Sequence, residues 1–168
     1  MYRYEVTLRH HFQNGWTIHI YLLGFSLFPF YMKSIYGPED MVEFIQLSIL
    51  FFLLFFIPQL ILHLNYYFHN KDDILLYDAP RRSITIDHAG VSQTFFFDDI
   101  ELVERFKSYP LAEGRMQWFP WDSYNYSIIH LKNGKEFLVT SLLVPNMDLP
   151  LEAGRIRLRK TFYPIRVK

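Results

Sequence analysis

The side chains able to do chemistry are scattered along the chain. Seven histidines stand at 10, 11, 19, 63, 69, 88 and 130, and there is no cysteine among the 168 residues. Without thiols, disulfide frameworks, thiolate zinc sites and cysteine nucleophiles are excluded. His10, His11, His69, Asp72 and Asp73 would offer nitrogen and oxygen ligands if folding gathered them. None has a metal-ligand spacing, so no metal is expected. Asp98-Asp99 suits the start of a strand better than a catalytic dyad, whose carboxylates must face each other. A phosphate loop, a His-Glu-x-x-His helix, a nucleophile elbow and a dinucleotide fingerprint are all missing. The expectation is a chain that is not an enzyme and uses no cofactor.

Two features stand out for binding instead. The stretch Gly114-Arg115-Met116-Gln117-Trp118-Phe119-Pro120-Trp121 concentrates large rings. Trp118, Phe119 and Trp121 either fold back to complete a core or present a contact surface for a partner protein or a lipid interface. Near the C-terminus come Arg155, Arg157, Arg159, Lys160, Arg166 and Lys168, with no acid after Glu152. Alternation would put Arg155, Arg157 and Arg159 on one strand face. That face is either simply solvated or an anion site for lipid headgroups or a phosphate-bearing ligand. The whole chain balances 17 basic against 17 acidic residues, which argues against a nucleic-acid partner.

The elements that position these residues follow from the charge gaps. No Asp, Glu, Lys or Arg lies between Arg9 and Lys33, nor in the 27 residues from Phe44 to Asn70. A helix rises ~1.5 Å per residue and a bilayer core is ~30 Å thick, so about 20 residues suffice to cross it. Two transmembrane helices are therefore expected, over about 15–33 and 42–66, forming an antiparallel hairpin within 15–68. A buried hairpin would need neighbours on every side, more than the remaining chain supplies. Arg3, Arg9, Lys71, Arg81 and Arg82 flank one end, and Lys33 alone the other. Both termini are thus expected in the cytoplasm, with residues 1–14 a cytoplasmic segment and the protein in the inner membrane. Ser48, Gln59 and His63 share a face of the second helix. They read either as ordinary interhelical hydrogen-bonding groups or as a polar seam for oligomer formation.

From Lys71 the pattern changes to period two. Strands are expected at Ile74–Tyr77, Ser83–Asp87, Val91–Phe97, Ile100–Lys107, Tyr124–Leu131, Glu136–Thr140 and Arg155–Arg159. Asn133-Gly134 marks a tight hairpin. Ile84-Thr85-Ile86-Asp87-His88-Ala89-Gly90-Val91, followed by Phe96-Phe97-Asp98-Asp99-Ile100, resembles the strand–turn–strand and hydrophobic-x-Asp-Ile junction of bacterial pleckstrin-homology-like (PH-like) domains. That resemblance covers roughly residues 70–145 and implies a barrel closed by a C-terminal helix. Pro145 and Pro150 oppose such a helix, at about 3 kcal/mol for each interior proline. A short turn and an extra strand are expected in its place.

The fold class expected is a membrane α-helical hairpin plus a small all-β PH-like domain over 71–168, an antiparallel barrel or bent sheet. The resemblance implies a non-enzymatic inner-membrane protein whose cytoplasmic domain binds a protein partner, a second copy or anionic lipid at the membrane surface. The alternative is a membrane-disrupting antiphage effector, whose barrel senses a cyclic nucleotide and drives oligomerisation of the two helices. Contact residues are expected at Trp118, Phe119 and Trp121 for apolar groups, and at Arg155, Arg157, Arg159 and Lys160 for anions.

Overall fold

The computed structural model describes residues 1–147, 149 and 151–166, so Pro150 and Lys168 lie outside the described residues. The chain opens on a short strand, β1 (Tyr2–Glu5), followed by two long helices, α1 (Leu8–Tyr36) and α2 (Met41–Asn70). Thr7 caps α1, its hydroxyl accepting from the His10 amide. Gly37 ends the helix at φ 97°, a left-handed conformation that costs glycine nothing, and its N–H bonds the Lys33 carbonyl. Both helices exceed the expected spans because the polar residues at their lower ends find partners in the β region.

Seven strands follow: β2 (Asp73–Asp78), β3 (Ser83–His88), β4 (Val91–Phe96), β5 (Ile100–Ser108), β6 (Asn125–Leu131), β7 (Glu136–Thr140) and β8 (Ile156–Thr161). They form two four-stranded sheets, ordered β1-β2-β3-β4 and β7-β6-β5-β8. β1 joins the first sheet antiparallel to β2, with Tyr2 opposite Tyr77 and their rings 6.1 Å apart. The helical hairpin is therefore an insertion between two paired strands of one sheet. β8 pairs parallel to β5, Val103 against Ile156 through Ser108 against Thr161. This corrects the all-antiparallel expectation, since the closing segment crosses the sandwich before it enters the edge. Among the described residues, Ser141 to Met147 is turn and irregular chain, and Leu142, Leu143, Val144 and Met147 are buried.

Two apolar layers hold the molecule together. Leu75, Ile84, Ile86, Phe95, Ile129 and Val139 meet between the sheets, and Met147 closes that layer. Behind the second sheet Leu62 and Tyr66 of α2 pack on Trp121, Tyr124, Tyr126 and Ile128. β6 is covered on both faces, which is why Tyr126, Ser127, Ile128 and Ile129 are all buried in sequence. The order of layers is sheet, sheet, helical hairpin.

Candidate functional site

The face that joins hairpin to sandwich is built from two helical stripes. On α1, His10, Asn14, Thr17 and Tyr21 recur at intervals of four and three residues and so share one side. His10 bonds the Leu142 carbonyl at 2.9 Å. Buried Asn14 donates to the Ser141 carbonyl at 3.2 Å and accepts the Ser141 hydroxyl at 2.7 Å. Thr17 donates to the Pro120 carbonyl at 3.2 Å, and Tyr21 to that of Trp118. On α2, Phe55, Gln59, Leu62, Tyr66 and Asn70 form the matching stripe. Asn70 is 1% exposed and fully engaged, donating to Asp73 at 2.6 Å and to the Leu138 carbonyl at 3.0 Å while accepting the Thr140 amide at 2.9 Å. The α1 stripe escaped sequence reading. Its polar members look like isolated interruptions until their common face is known.

Of the expected polar seam, Gln59 and His63 come together low on the hairpin. His63 bonds the Tyr124 hydroxyl at 2.8 Å and His11 at 2.7 Å. Both line a groove of about 310 Å³ with Leu8, Phe12 and Gly15, and the Gln59 Oε1 is buried there without a partner. Ser48 lies eleven residues above, its hydroxyl donating to the Phe44 carbonyl at 2.8 Å. It belongs to a separate apolar groove of about 310 Å³ with Leu22, Phe25 and Pro29.

The aromatic loop divides. Trp121 is buried and lies parallel to Phe119, ring centroids 4.9 Å apart, while Phe55 of α2 stacks on both. Asp122 holds the loop by accepting the Trp118 and Phe119 amides at 3.0 and 2.9 Å. Trp118 points away and is 66% exposed, in the company of Met116 at 71% and Phe162 at 60%. Burial pushes the Tyr124, Tyr126 and Tyr163 phenols above their ordinary range, so all three stay neutral.

The basic run also divides. Arg155 precedes β8 and its Nη2 donates to the Phe97 and Ile100 carbonyls, fastening the closing segment to the junction of the sheets. Arg157 and Arg159 both reach Glu104, at 3.4 and 3.2 Å, and Lys160 reaches Glu113 at 2.9 Å. Burial works to raise the Glu104 pKa, but hydrogen bonding from Arg159 and the charges of Arg159, His130 and Arg157 outweigh it and hold the carboxyl below its usual range. Asp73 and His88 pair elsewhere, at 2.5 Å, and the five residues His10, His11, His69, Asp72 and Asp73 are not gathered into one group. His10 and His11 turn to Leu142 and His63 instead. Among the described residues no group of three or more histidines and carboxylates could hold a metal.

The site is thus part of a two-sheet sandwich with buried links to a helical pair, and rings and cations are exposed at its rim. The chain belongs to the PH domain family, whose model matches residues 2–150. The match begins at β1 and takes in both helices, so the inserted hairpin lies within the family region, well beyond the part legible as PH-like from strands alone. No curated protein and no solved structure gave a significant match.

Proposed function

We propose that this protein is a membrane-anchored, non-catalytic PH module. The two helices cross the bilayer as a hairpin, and the sandwich works on the cytoplasmic side. One observation carries this reading. The hairpin gives a single face to the sandwich, while Leu23, Leu27, Phe30, Leu50 and Leu54 stay more than half exposed on its other sides. Among the described residues both helices are long and apolar enough to cross a membrane. A soluble protein leaving that surface wet would lose roughly 25 cal/mol for each Å² of apolar area. The excess of Lys and Arg beside the sandwich supports its cytoplasmic placement.

Anionic lipid headgroups are the ligand class the rim suits best. Arg157 and Arg159 share one carboxylate, so the two guanidiniums carry one positive charge in excess, and both are about half exposed while Glu104 is only 16% exposed. Their exposed edges are open to a lipid phosphate with Glu104 kept in place, and arginine's planar fork matches phosphate. The cyclic-nucleotide effector is not adopted, because the groove that Lys132 and Lys135 line also carries Asp99, and nothing in it favours a nucleotide over headgroup contact at the rim. The test uses the full chain in neutral detergent micelles, titrated with phosphatidylglycerol or phosphatidylcholine while Tm is recorded. Phosphatidylglycerol should raise Tm by mass action, less so at high salt and less so in Arg157→Ala/Arg159→Ala. Equal response to both lipids would refute headgroup binding.

A further inference from the structure

The length of the free hairpin conflicts with the thickness of a bilayer. Contacts between hairpin and sandwich climb as high as Tyr21, bonded to Trp118, and Phe55, stacked on Phe119 and Trp121. At the far end the first charges are Lys33 in the last turn of α1 and Glu43 in the first turn of α2. Twelve residues separate Tyr21 from Lys33, and twelve separate Glu43 from Phe55, each a rise of ~18 Å. A hydrocarbon core is ~30 Å thick, so ~12 Å of it must run alongside the part of the hairpin where the sandwich is docked.

Two arrangements would reconcile the lengths. The hairpin tip can stop inside the membrane, which would strand Lys33, Glu39, Asp40 and Glu43 in hydrocarbon. Alternatively the docked rim can sink among the lipids, with the bilayer thinning to meet it. Ionised side chains without partners are the more costly choice, whereas thickness mismatch is accommodated by small increments. The outward face of the docked region agrees with immersion: Phe12, Trp16, Leu60 and Ile61 are exposed apolar residues level with the sandwich. On the sandwich, Trp118 is exposed at the level of Tyr21, with exposed Met116 two residues before it and exposed Phe162 packed on Phe119 and Trp121. Nearby, Glu113 is bonded to both Arg115 and Lys160, at 2.7 and 2.9 Å, so one carboxylate engages both cations beside these rings and leaves one positive charge in excess.

We infer that Met116, Trp118 and Phe162 form a lipid-contact rim that lies below the phosphate level of the cytoplasmic leaflet. The PH sandwich is then partly embedded beside the hairpin instead of hanging beneath it. This rests on the transmembrane reading proposed above, and it names the surface by which the sandwich itself meets the bilayer.

The absence of cysteine makes the test direct. Single variants Met116→Cys, Phe162→Cys, Leu27→Cys and Val91→Cys, all at exposed positions, carry a nitroxide in the full chain reconstituted into phosphatidylcholine/phosphatidylglycerol vesicles. Collision with oxygen, which concentrates in hydrocarbon, is compared with collision with a water-soluble nickel chelate. Leu27 reports the spanning part and Val91 the far end of the sandwich, beside the last residues of α2 and well below the highest contacts. Expected is an oxygen-to-nickel ratio at 116 and 162 several-fold above that at 91 and approaching that at 27. Ratios at 116 and 162 equal to that at 91 overturn the immersed rim while leaving the anchor intact. A water-like ratio at 27 overturns the anchor itself, and the rim with it. Labels at 116 and 162 shielded from both reagents would mean a protein covers the rim, which also overturns the proposal.

Discussion

His63 of α2 and Tyr124, 61 residues later, share a 2.8 Å hydrogen bond between imidazole Nδ1 and phenol hydroxyl. It joins α2 to the loop that enters β6, and the Tyr124 ring is wholly buried beside Tyr66. The bond gives a half-buried imidazole on the wall of a groove a fixed partner, and it ties the hairpin to the sandwich at that height.

Tyr124→Phe should leave that nitrogen without its partner while keeping the ring's packing. The expected loss is about 0.5–1.5 kcal/mol, the net worth of a hydrogen bond at a half-buried group. Thermal unfolding of the purified full chain in detergent measures it. An unchanged Tm would mean that His63 readily finds another partner.

The two tryptophans of the aromatic loop should behave oppositely. Trp121→Ala removes a buried ring that contacts Phe55, Phe119 and Tyr163, and large-to-small changes of this kind cost about 3–5 kcal/mol. Trp118→Ala alters a mostly exposed side chain and should shift stability in micelles by no more than about 0.5 kcal/mol. Tm values of the two variants, recorded side by side, decide the matter.

A pH dependence follows from Asp73 and His88. The hydrogen bond to Asp73 and then its charge raise the His88 pKa above the ordinary 6.5. The folded state therefore holds the proton more tightly than the unfolded chain. The resulting stabilisation is complete below about pH 6.5 and is lost as pH rises through the folded-state value. His88 is largely exposed, so water screens the pair and the gain is at most about 1 kcal/mol. The Tm gap between the native chain and His88→Gln should narrow from pH 5.5 to pH 8.5. A gap that stays constant would rule the pair out.

Glu104 occupies both Arg157 and Arg159, so Glu104→Gln should free them for phosphate. Under the headgroup reading, response to phosphatidylglycerol rises by up to about fivefold, equivalent to ~1 kcal/mol. A weaker response would show that Glu104 serves to hold the arginines in their binding geometry.

Asn70 is where the hairpin is tied into both sheets. Asn70→Leu abandons the Thr140 amide, the Leu138 carbonyl and the Asp73 carboxylate together, and about 3 kcal/mol or more should be lost. Faster protease cleavage between α2 and β2 would reveal the loosened joint, and unchanged resistance would deny Asn70 this role.

Much of the architecture could be read before any coordinates, for a local reason. A 27-residue uncharged run has few ways to satisfy its backbone other than as a helix, and Ser83 to Phe96 alternates around a turn that Asp87 closes by accepting the Gly90 amide. Such patterns are written within one or two turns of chain, and seven strands after the hairpin emerged close to their expected bounds. Tyr2–Glu5 escaped because four residues at a sheet edge carry too short an alternation to be recognised without the partner strand. Arg155, Arg157 and Arg159 looked equivalent because spacing is all a sequence offers. Tertiary structure separated them, giving the first two backbone carbonyls and the others a shared carboxylate. It alone also decided that β8 runs parallel to β5 and that the sandwich rides alongside the hairpin. Those outcomes depend on pairings between residues up to 132 apart, as with His10 and Leu142, and no local periodicity encodes them.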